Sequence, residues 1–158
     1  MQLDRLLAAA RDTIAEVPHA WLATVAEDGG AHARAVRVFP GRPGDDAWAR
    51  RFLCRRDSRK AAEMRRAPRV TLAFQHASGN VYVALVGQVA LIDDRVEMRS
   101  LWKGDGDTFP PDFIDAIMIV ARLEVGRIEI HARGVTAEPF GHGRTLVDRT
   151  ADGWRVSD

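Results

Sequence analysis

The sequence contains a single cysteine, Cys54, so it can form neither an intrachain disulfide nor a cysteine-based metal site. It also has no apolar run approaching the ~18 residues that a membrane-spanning helix needs. The N-terminus has no basic segment followed by an apolar run, which argues against a signal peptide. Together these absences predict a soluble, cytoplasmic protein that does not act on a membrane.

Recognisable motifs for metal or nucleotide binding are equally scarce. The five histidines show no ligand spacing such as HxxxH or HxH, and neither a Walker A nor a GxSxG motif occurs. Asp105-Gly106-Asp107 resembles the start of a calcium loop, but Phe109 and Pro110 stand where a ligand and a glycine are required. We therefore expect no metal site.

The charge is nearly balanced in total but unevenly distributed. Of the 23 basic and 22 acidic residues, nine basic and two acidic ones lie between positions 50 and 69, which leaves 14 basic and 20 acidic residues elsewhere. A local basic patch on an otherwise acidic chain predicts a small anionic ligand. Nucleic-acid binding is the weaker interpretation, because no aromatic residues alternate with the arginines.

Periodicity predicts one mainly-β domain over residues 1–158, with helices at its flanks. A helix is expected over 2–17, since its apolar residues recur at helical spacing and Pro18 ends the pattern. Two more helices are predicted over 58–66 and from Asp93 or Asp94 to Trp102. Strands are predicted over 20–26, 31–39, 47–54, 69–76, 81–92, 117–124 and 127–132, with a small hairpin at 145–147 and 154–156.

This order of elements is not an alternation of strands and helices, so a parallel doubly wound sheet is not expected. An antiparallel barrel of about six strands, with helices covering its openings, fits better. Gly87, in the middle of a valine-rich strand, marks a bulge or a close backbone approach. Loops are predicted at 41–46, at 103–112 and, within a C-terminal tail of 133–158, at 134–143.

The segment Asp57-Ser58-Arg59-Lys60 is the best candidate for a binding site. Asp57 or Ser58 is a suitable N-cap, and Arg59 and Lys60 then fall in the first helical turn. The helix dipole already makes that turn positive, so two more cations are unfavourable there unless an anion offsets them. A phosphate would do so, held by backbone N–H groups, a hydroxyl and two cationic side chains. A solvated basic helix start is the alternative.

Three segments, in this order and spacing, resemble the flavin-binding split-barrel superfamily. They are 31–37 (AHARAVR), 52–60 (FLCRRDSRK) and 83–95 (VALVGQVALIDDR), the last followed by Leu101-Trp102. The superfamily includes pyridoxamine 5′-phosphate oxidase and the bacterial general stress protein 26 family, and the resemblance covers roughly residues 15–131. It implies a six-stranded antiparallel split β-barrel that forms a homodimer with FMN at the interface.

By position, the resemblance implies two groups of residues around the cofactor. The FMN phosphate or ribityl chain would be contacted by Arg34, Ser58, Arg59 and Lys60. The isoalloxazine ring would be lined by the backbone of Ala35, Val36, Leu53 and Cys54. Alternation along the strand lets Arg34 point into a groove while Arg37 points elsewhere.

Further residues are implied by weaker matches. Tyr82 stands where the oxidase has a glutamine that approaches the flavin. The C-terminal segment is similar to that of the oxidase, which implies that His131 and Arg149 lie near the flavin of the partner subunit. However, Phe39 and Val147 replace a lysine and a histidine that bind the oxidase substrate. Losing a cation and an imidazole from such a site argues against vitamin B6 oxidation.

Several alternatives stay open from the sequence. The protein could be an FMN-dependent oxidoreductase, a flavin-binding stress protein without a dedicated substrate, or a relative that uses another anionic cofactor such as F420 or haem. Cys54 could be a nucleophile near cations, although a buried strand cysteine is favoured. Trp102 is interpreted as core or interface packing rather than a flavin stacker, and Trp21 and Trp48 as packing residues.

Overall fold

The computed structural model describes residues 2–102, 110–136 and 145–157. Its helices are α1 (Gln2–Glu16), α2 (Arg59–Arg66), α3 (Arg95–Leu101) and α4 (Pro111–Ile117). Its strands are β1 (His19–Val25), β2 (Ala31–Arg37), β3 (Phe39–Pro40), β4 (Arg50–Arg55), β5 (Arg69–Gln75), β6 (Val81–Ile92), β7 (Met118–Ala132), β8 (Thr145–Thr150) and β9 (Gly153–Val156).

All strands belong to one antiparallel sheet with the order β2-β1-β5-β6-β7-β4-β3, and β8 pairs with both β7 and β9. This confirms the predicted mainly-β antiparallel fold with flanking helices, although the sheet has more strands than the six expected. Within the described ranges, no hydrogen-bonded ladder joins β2 to β4. The two nevertheless lie side by side, so the sheet curls until its ends meet at an unpaired seam.

The core fills the inside of this curled sheet. Its fully buried side chains include Phe52, Phe74, Leu22, Leu72 and Leu85. Helix α1 covers one opening with the apolar face that the sequence predicts, since four of its apolar residues are buried: Leu6, Leu7, Ala10 and Ile14. Of the helices in the described ranges, none is long and apolar enough to span a membrane.

One strand replaces the two that were predicted over 117–124 and 127–132. Val125-Gly126 is not a turn, because β7 pairs with β6 on both sides of it. The register shifts between Val86 and Gly87, where β7 carries one extra residue, so the predicted irregularity at Gly87 is confirmed as a β-bulge. The bulge lets the long β6–β7 ribbon bend without losing its pairing.

Other boundaries differ for local reasons. The strand predicted over 47–54 begins only at Arg50, because Asp46 accepts a hydrogen bond from the Trp48 amide and holds residues 46–49 in a turn. The predicted loop 103–112 ends in α4, whose Pro111 occupies the first helical position, where proline is tolerated. The C-terminal hairpin is confirmed and is longer than predicted. Residues 103–109 and 137–143 of the predicted loops, and with them Asp105-Gly106-Asp107 of the calcium-like segment, lie outside the described residues.

The close approach at the bulge predicts that Gly87→Ala is destabilising. A Cβ at this position would lie 1.8 Å from the backbone oxygen of Glu124, so one strand must move. We expect the free energy of unfolding in urea to fall by about 2–3 kcal/mol, as for overpacking of a rigid neighbour. Gly126→Ala is the matched control, since its Cβ would meet no atom within 4 Å. Equal stability of the two variants would contradict the close approach of the two strands at Gly87.

Candidate functional site

Residues from three separate parts of the sequence line one cavity at the seam between β2 and β4. The cavity has a volume of about 340 Å³. Its lining residues come from β2, β3, β4, α2 and the end of α3: Ala35, Val36, Arg37, Phe39, Leu53, Lys60, Leu101 and Trp102. We call it the seam cavity. It brings together four of the residues predicted to surround a flavin, namely Ala35, Val36, Leu53 and Lys60.

Strand alternation explains which side chains reach the seam cavity. On β4, Leu53 is half-buried and lines the cavity, whereas Cys54 points the other way into the core and is 2% exposed. Burial raises the pKa of the Cys54 thiol, which disfavours the thiolate form that a nucleophile needs. The interpretation of Cys54 as a buried strand cysteine is therefore confirmed.

The first turn of α2 faces the seam cavity through Lys60. Ser58 caps the helix: its Oγ accepts a hydrogen bond from the Ala61 amide at 3.3 Å, and its carbonyl accepts one from Ala62. The amides of Arg59 and Lys60 therefore have no intrahelical acceptor. The Arg59 side chain lines a different cavity, so the predicted pair of cations is divided between the two sides of the helix.

The seam cavity is positively charged. Arg37 and Lys60 line it, no acidic side chain does, and neither cation forms an ion pair within the described part of the chain. Trp102 also lines it, and its buried indole Nε1 has no hydrogen-bond partner among the described residues. Unpaired cations and an unused donor beside apolar walls are the features expected of a site for a flat molecule bearing an anionic group. A flavin phosphate fits this description.

Arg34, which the resemblance places at the FMN phosphate or ribityl chain, does not line the seam cavity. Its guanidinium donates to Thr24 Oγ1 at 2.5 Å and lies 3.5 Å from Glu63 Oε2, so it faces α2 rather than the seam cavity. Arg37, which was predicted to point elsewhere, lines the cavity instead. The alternation was correct, but the sequence did not reveal which face of β2 meets α2. That choice depends on Glu63, a residue that the sequence analysis did not single out.

Glu63 is the buried acceptor of a polar cluster between α2 and the β1–β2 hairpin. It is 3% exposed and is bonded to three side chains, at 2.5 Å to Thr24 Oγ1, 2.6 Å to His32 Nδ1 and 3.5 Å to Arg34. The Thr24 hydrogen bond, followed by the effects of His32 and Arg34, lowers the pKa of the Glu63 carboxyl to about 2, although burial opposes this. The sequence offered one signal: Glu63 is the only acid in α2.

Tyr82 and His131 lie on the outer face of the sheet, away from the seam cavity. They are cross-strand neighbours on β6 and β7, with ring centroids 6.1 Å apart. Tyr82 lines a separate cavity of about 200 Å³ together with Trp21, which is 57% exposed. The interpretation of Trp21 as a packing residue therefore does not hold within one chain, whereas Trp48 is buried as expected.

Arg149 also lies apart from the seam cavity. Its guanidinium forms a two-point ion pair with Asp46, at 2.8 and 2.7 Å, and donates from Nε to the Val125 carbonyl. The predicted roles of His131 and Arg149 involve the flavin of a partner subunit, so they stay predictions. In the described part of the chain, no group of three His, Cys, Asp or Glu side chains is placed to hold a metal ion.

Comparison with known proteins decides the family. The family model for pyridoxamine 5′-phosphate oxidase matches residues 6–132, which is most of the chain. The chain belongs to the pyridoxamine 5′-phosphate oxidase family. The match contains all the elements that line the seam cavity and ends at the last residue of β7, so β8 and β9 lie beyond it. Among curated proteins, none matches this sequence.

Solved structures share the fold of this family member. General stress protein 26 from Bacillus anthracis has 16% identity and a TM-score of 0.65, covering 82% of this chain and 94% of its own. An FMN-binding protein from Nostoc punctiforme that is related to pyridoxamine 5′-phosphate oxidase has 17% identity and a TM-score of 0.65, covering 98% of this chain and 93% of its own. An F420 reductase has 20% identity and a TM-score of 0.59, covering 74% of this chain and 94% of its own. At these identities the likeness shows the split-barrel fold alone.

The Glu63 cluster predicts an acid-sensitive contribution to stability. Because the folded protein lowers the pKa of this carboxyl from 4.5 to about 2, the contribution is complete above pH 4.5 and is lost as the pH falls towards 2. We expect Glu63→Gln to reduce the free energy of unfolding by about 1–3 kcal/mol at pH 7, with a smaller deficit at pH 3. Urea unfolding at both pH values measures this.

Glu27→Gln is the matched control for that measurement. Glu27 lines the same cavity as Glu63, but it is exposed and forms no ion pair among the described residues. Its variant should follow the wild-type pH profile. A Glu63→Gln deficit that is the same at pH 7 and pH 3 would show that the carboxylate charge does not stabilise the fold.

Proposed function

We propose that this protein binds FMN in the seam cavity and is a flavin-dependent oxidoreductase. The observation that carries the proposal is the convergence of Ala35, Val36, Leu53 and Lys60 on one cavity that no acidic side chain lines. Family membership and the FMN-binding relative from Nostoc punctiforme support it. The inferred role in electron transfer rests on the chemistry of the flavin, because the proposal assigns no reacting side chain to the protein itself.

Each part of the seam cavity has a role in this proposal. Lys60 and the free amides at the start of α2 would hold the phosphate, whose charge also suits the positive end of the helix. The backbone of β2 at Ala35 and Val36, with Leu53 opposite, would line the flavin ring. When bound, FMN supplies hydride or single-electron transfer. The chain orients it and excludes water with the apolar side chains around it.

Oxidation of a vitamin B6 phosphate is not the proposed reaction. Phe39, which replaces the substrate-binding lysine, lines the seam cavity with an aromatic ring instead of a cation. Val147, which replaces the histidine, is 0% exposed in the core and cannot touch a substrate. Both positions therefore lack the polar contacts that the oxidase reaction uses, so the substrate is a different molecule.

A homodimer forms part of the proposal. The outer face of the sheet exposes Trp21 (57%) and Tyr82 (40%) next to the cavity that they share. Large aromatic side chains exposed together on one face are typical of an interface. A second copy seated on this face would cover both rings, and it would bring Tyr82 and His131 towards the cofactor of the partner.

Two alternatives differ from this proposal, one in whether the bound flavin is reduced and the other in the identity of the cofactor. A flavin-binding stress protein would hold FMN but would not be reduced by NADH or NADPH at a useful rate. A protein that used the deazaflavin F420 or haem instead would show a different absorption spectrum. Of these two other cofactors, F420 is favoured over haem by the likeness to an F420 reductase. The spectrum of the purified protein, followed by addition of each electron donor, separates these cases.

FMN affinity provides the direct test. The protein should retain the absorption bands of oxidised flavin after FMN is added and the sample is desalted. Lys60→Ala should weaken FMN binding by about 1.5–3 kcal/mol, roughly ten- to a hundredfold, because a charge-assisted hydrogen bond is lost. Titration followed by flavin fluorescence measures this. Lys60→Arg should keep most of the affinity.

Arg65→Ala is the matched control for Lys60→Ala. Arg65 lies in the same helix, but its guanidinium donates to the Arg56 carbonyl and does not line the seam cavity. An equal loss of affinity in Lys60→Ala and Arg65→Ala would show only a general charge effect. Full FMN affinity in Lys60→Ala would place the phosphate elsewhere.

The dimer is tested at Trp21. We expect Trp21→Glu to weaken self-association by about 2 kcal/mol or more, because a central interface tryptophan is replaced by a charge. Light scattering of diluted samples measures the mass. Val96→Glu is the control, since Val96 is an exposed apolar residue (72%) on α3 instead of the sheet face. A wild-type protein that is a monomer with FMN bound would refute the proposed dimer.

A further inference from the structure

Arg37 is an arginine without a counter-ion at the edge of the seam cavity. It is the last residue of β2, and its exposed side chain forms no ion pair or hydrogen bond with another described residue. The side chain stacks on Phe39: the guanidinium carbon lies 5.1 Å from the centroid of that ring. This stacking holds the cation in place without neutralising it.

Some arginines of the basic segment 50–69 are paired with carboxylates. Arg51 pairs with Glu97 at 3.3 Å, and Arg56 pairs with Asp93 at 2.5 Å. Acidic side chains also line the two other cavities described above: Glu129 lines the cavity beside Tyr82, and Glu63 lines the one beside Arg59. An unpaired arginine in a cavity without acids is therefore a local exception.

The cofactor phosphate does not account for both cations. In the proposed function, that phosphate lies at the start of α2, against Lys60 and the free amides. Arg37 belongs to another element, at the end of β2, where its guanidinium stacks on the ring of Phe39.

We propose that Arg37 is a specificity-determining residue that selects a second ligand, an organic oxyanion with a flat apolar body, to bind beside the cofactor. The inference rests on the proposed function, because it assigns the substrate class of the same cavity. A guanidinium offers several N–H donors in one plane, which suits a carboxylate or a phosphate. Phe39 and Trp102 provide aromatic surface for the body of the ligand. The substrate is thus an aromatic or conjugated acid, not a neutral or cationic molecule.

The test uses the FMN-loaded protein and nearly isosteric probes. Benzoate is titrated against benzamide, and the perturbation of the flavin absorption spectrum gives each dissociation constant. Wild-type protein should bind benzoate about tenfold more tightly than benzamide, as expected when one charge-assisted contact is gained. Arg37→Gln should reduce this ratio to about one, and Arg37→Lys should retain part of it. Phenyl phosphate, titrated in parallel, distinguishes a phosphate ligand from a carboxylate ligand.

Arg11→Gln is the matched control. Arg11 also stacks on an aromatic ring, at 5.2 Å from the centroid of Trp48, but it does not line the seam cavity. This variant should keep the wild-type preference for benzoate. The FMN affinity of Arg37→Gln is measured first and should stay within about twofold of wild type, because Lys60 holds the phosphate in this assignment.

The other outcomes refute either the proposed function or the role of Arg37. A protein that holds no FMN refutes the proposed function and this inference with it. If FMN is bound, two results would refute only the role of Arg37 and leave the proposed function standing. One is equal binding of benzoate and benzamide by the wild type, and the other is an undiminished preference for benzoate in Arg37→Gln. A tenfold or greater loss of FMN affinity in Arg37→Gln would assign Arg37 to the cofactor phosphate and overturn the inference.

Discussion

The buried carboxylate of Glu63 fixes the position of α2, and the candidate site depends on that position. Thr24, His32 and Arg34 all bind this carboxylate, so one helix is fastened to both strands of the β1–β2 hairpin. A buried charge is stable only when its partners satisfy it, and this requirement leaves α2 few alternative orientations. With α2 held in this way, Lys60 lines the seam cavity while Arg59 lines another.

The seam itself is a consequence of how the sheet closes. A ladder between β2 and β4 would place these strands about 5 Å apart and leave no room for a ligand. Because that ladder is missing in the described chain, side chains and backbone of both strands line a cavity with apolar walls. Two cations that line it, Arg37 and Lys60, lack acidic partners there. The proposed flavin and the proposed acidic substrate both follow from this combination of an open seam and unbalanced charge.

Much of the fold could be predicted from local patterns. The apolar face of α1, the cap at Ser58 and the irregularity at Gly87 depend on short-range spacing, and the structure has all three. The prediction failed where local and long-range effects compete. Val125-Gly126 resembles a turn, but pairing with β6 continues through it, since an antiparallel strand can absorb one extra residue as a bulge.

Periodicity and motif order were enough to predict the mainly-β class, the family and four residues that meet at the seam, Ala35, Val36, Leu53 and Lys60, because these patterns are local properties of the chain. That Arg37 lines the cavity while Arg34 does not depends instead on long-range packing. Alternation along a strand separates two faces but does not say which one packs against a helix. The position of Glu63, far from Arg34 in sequence but in contact with it in space, made that choice.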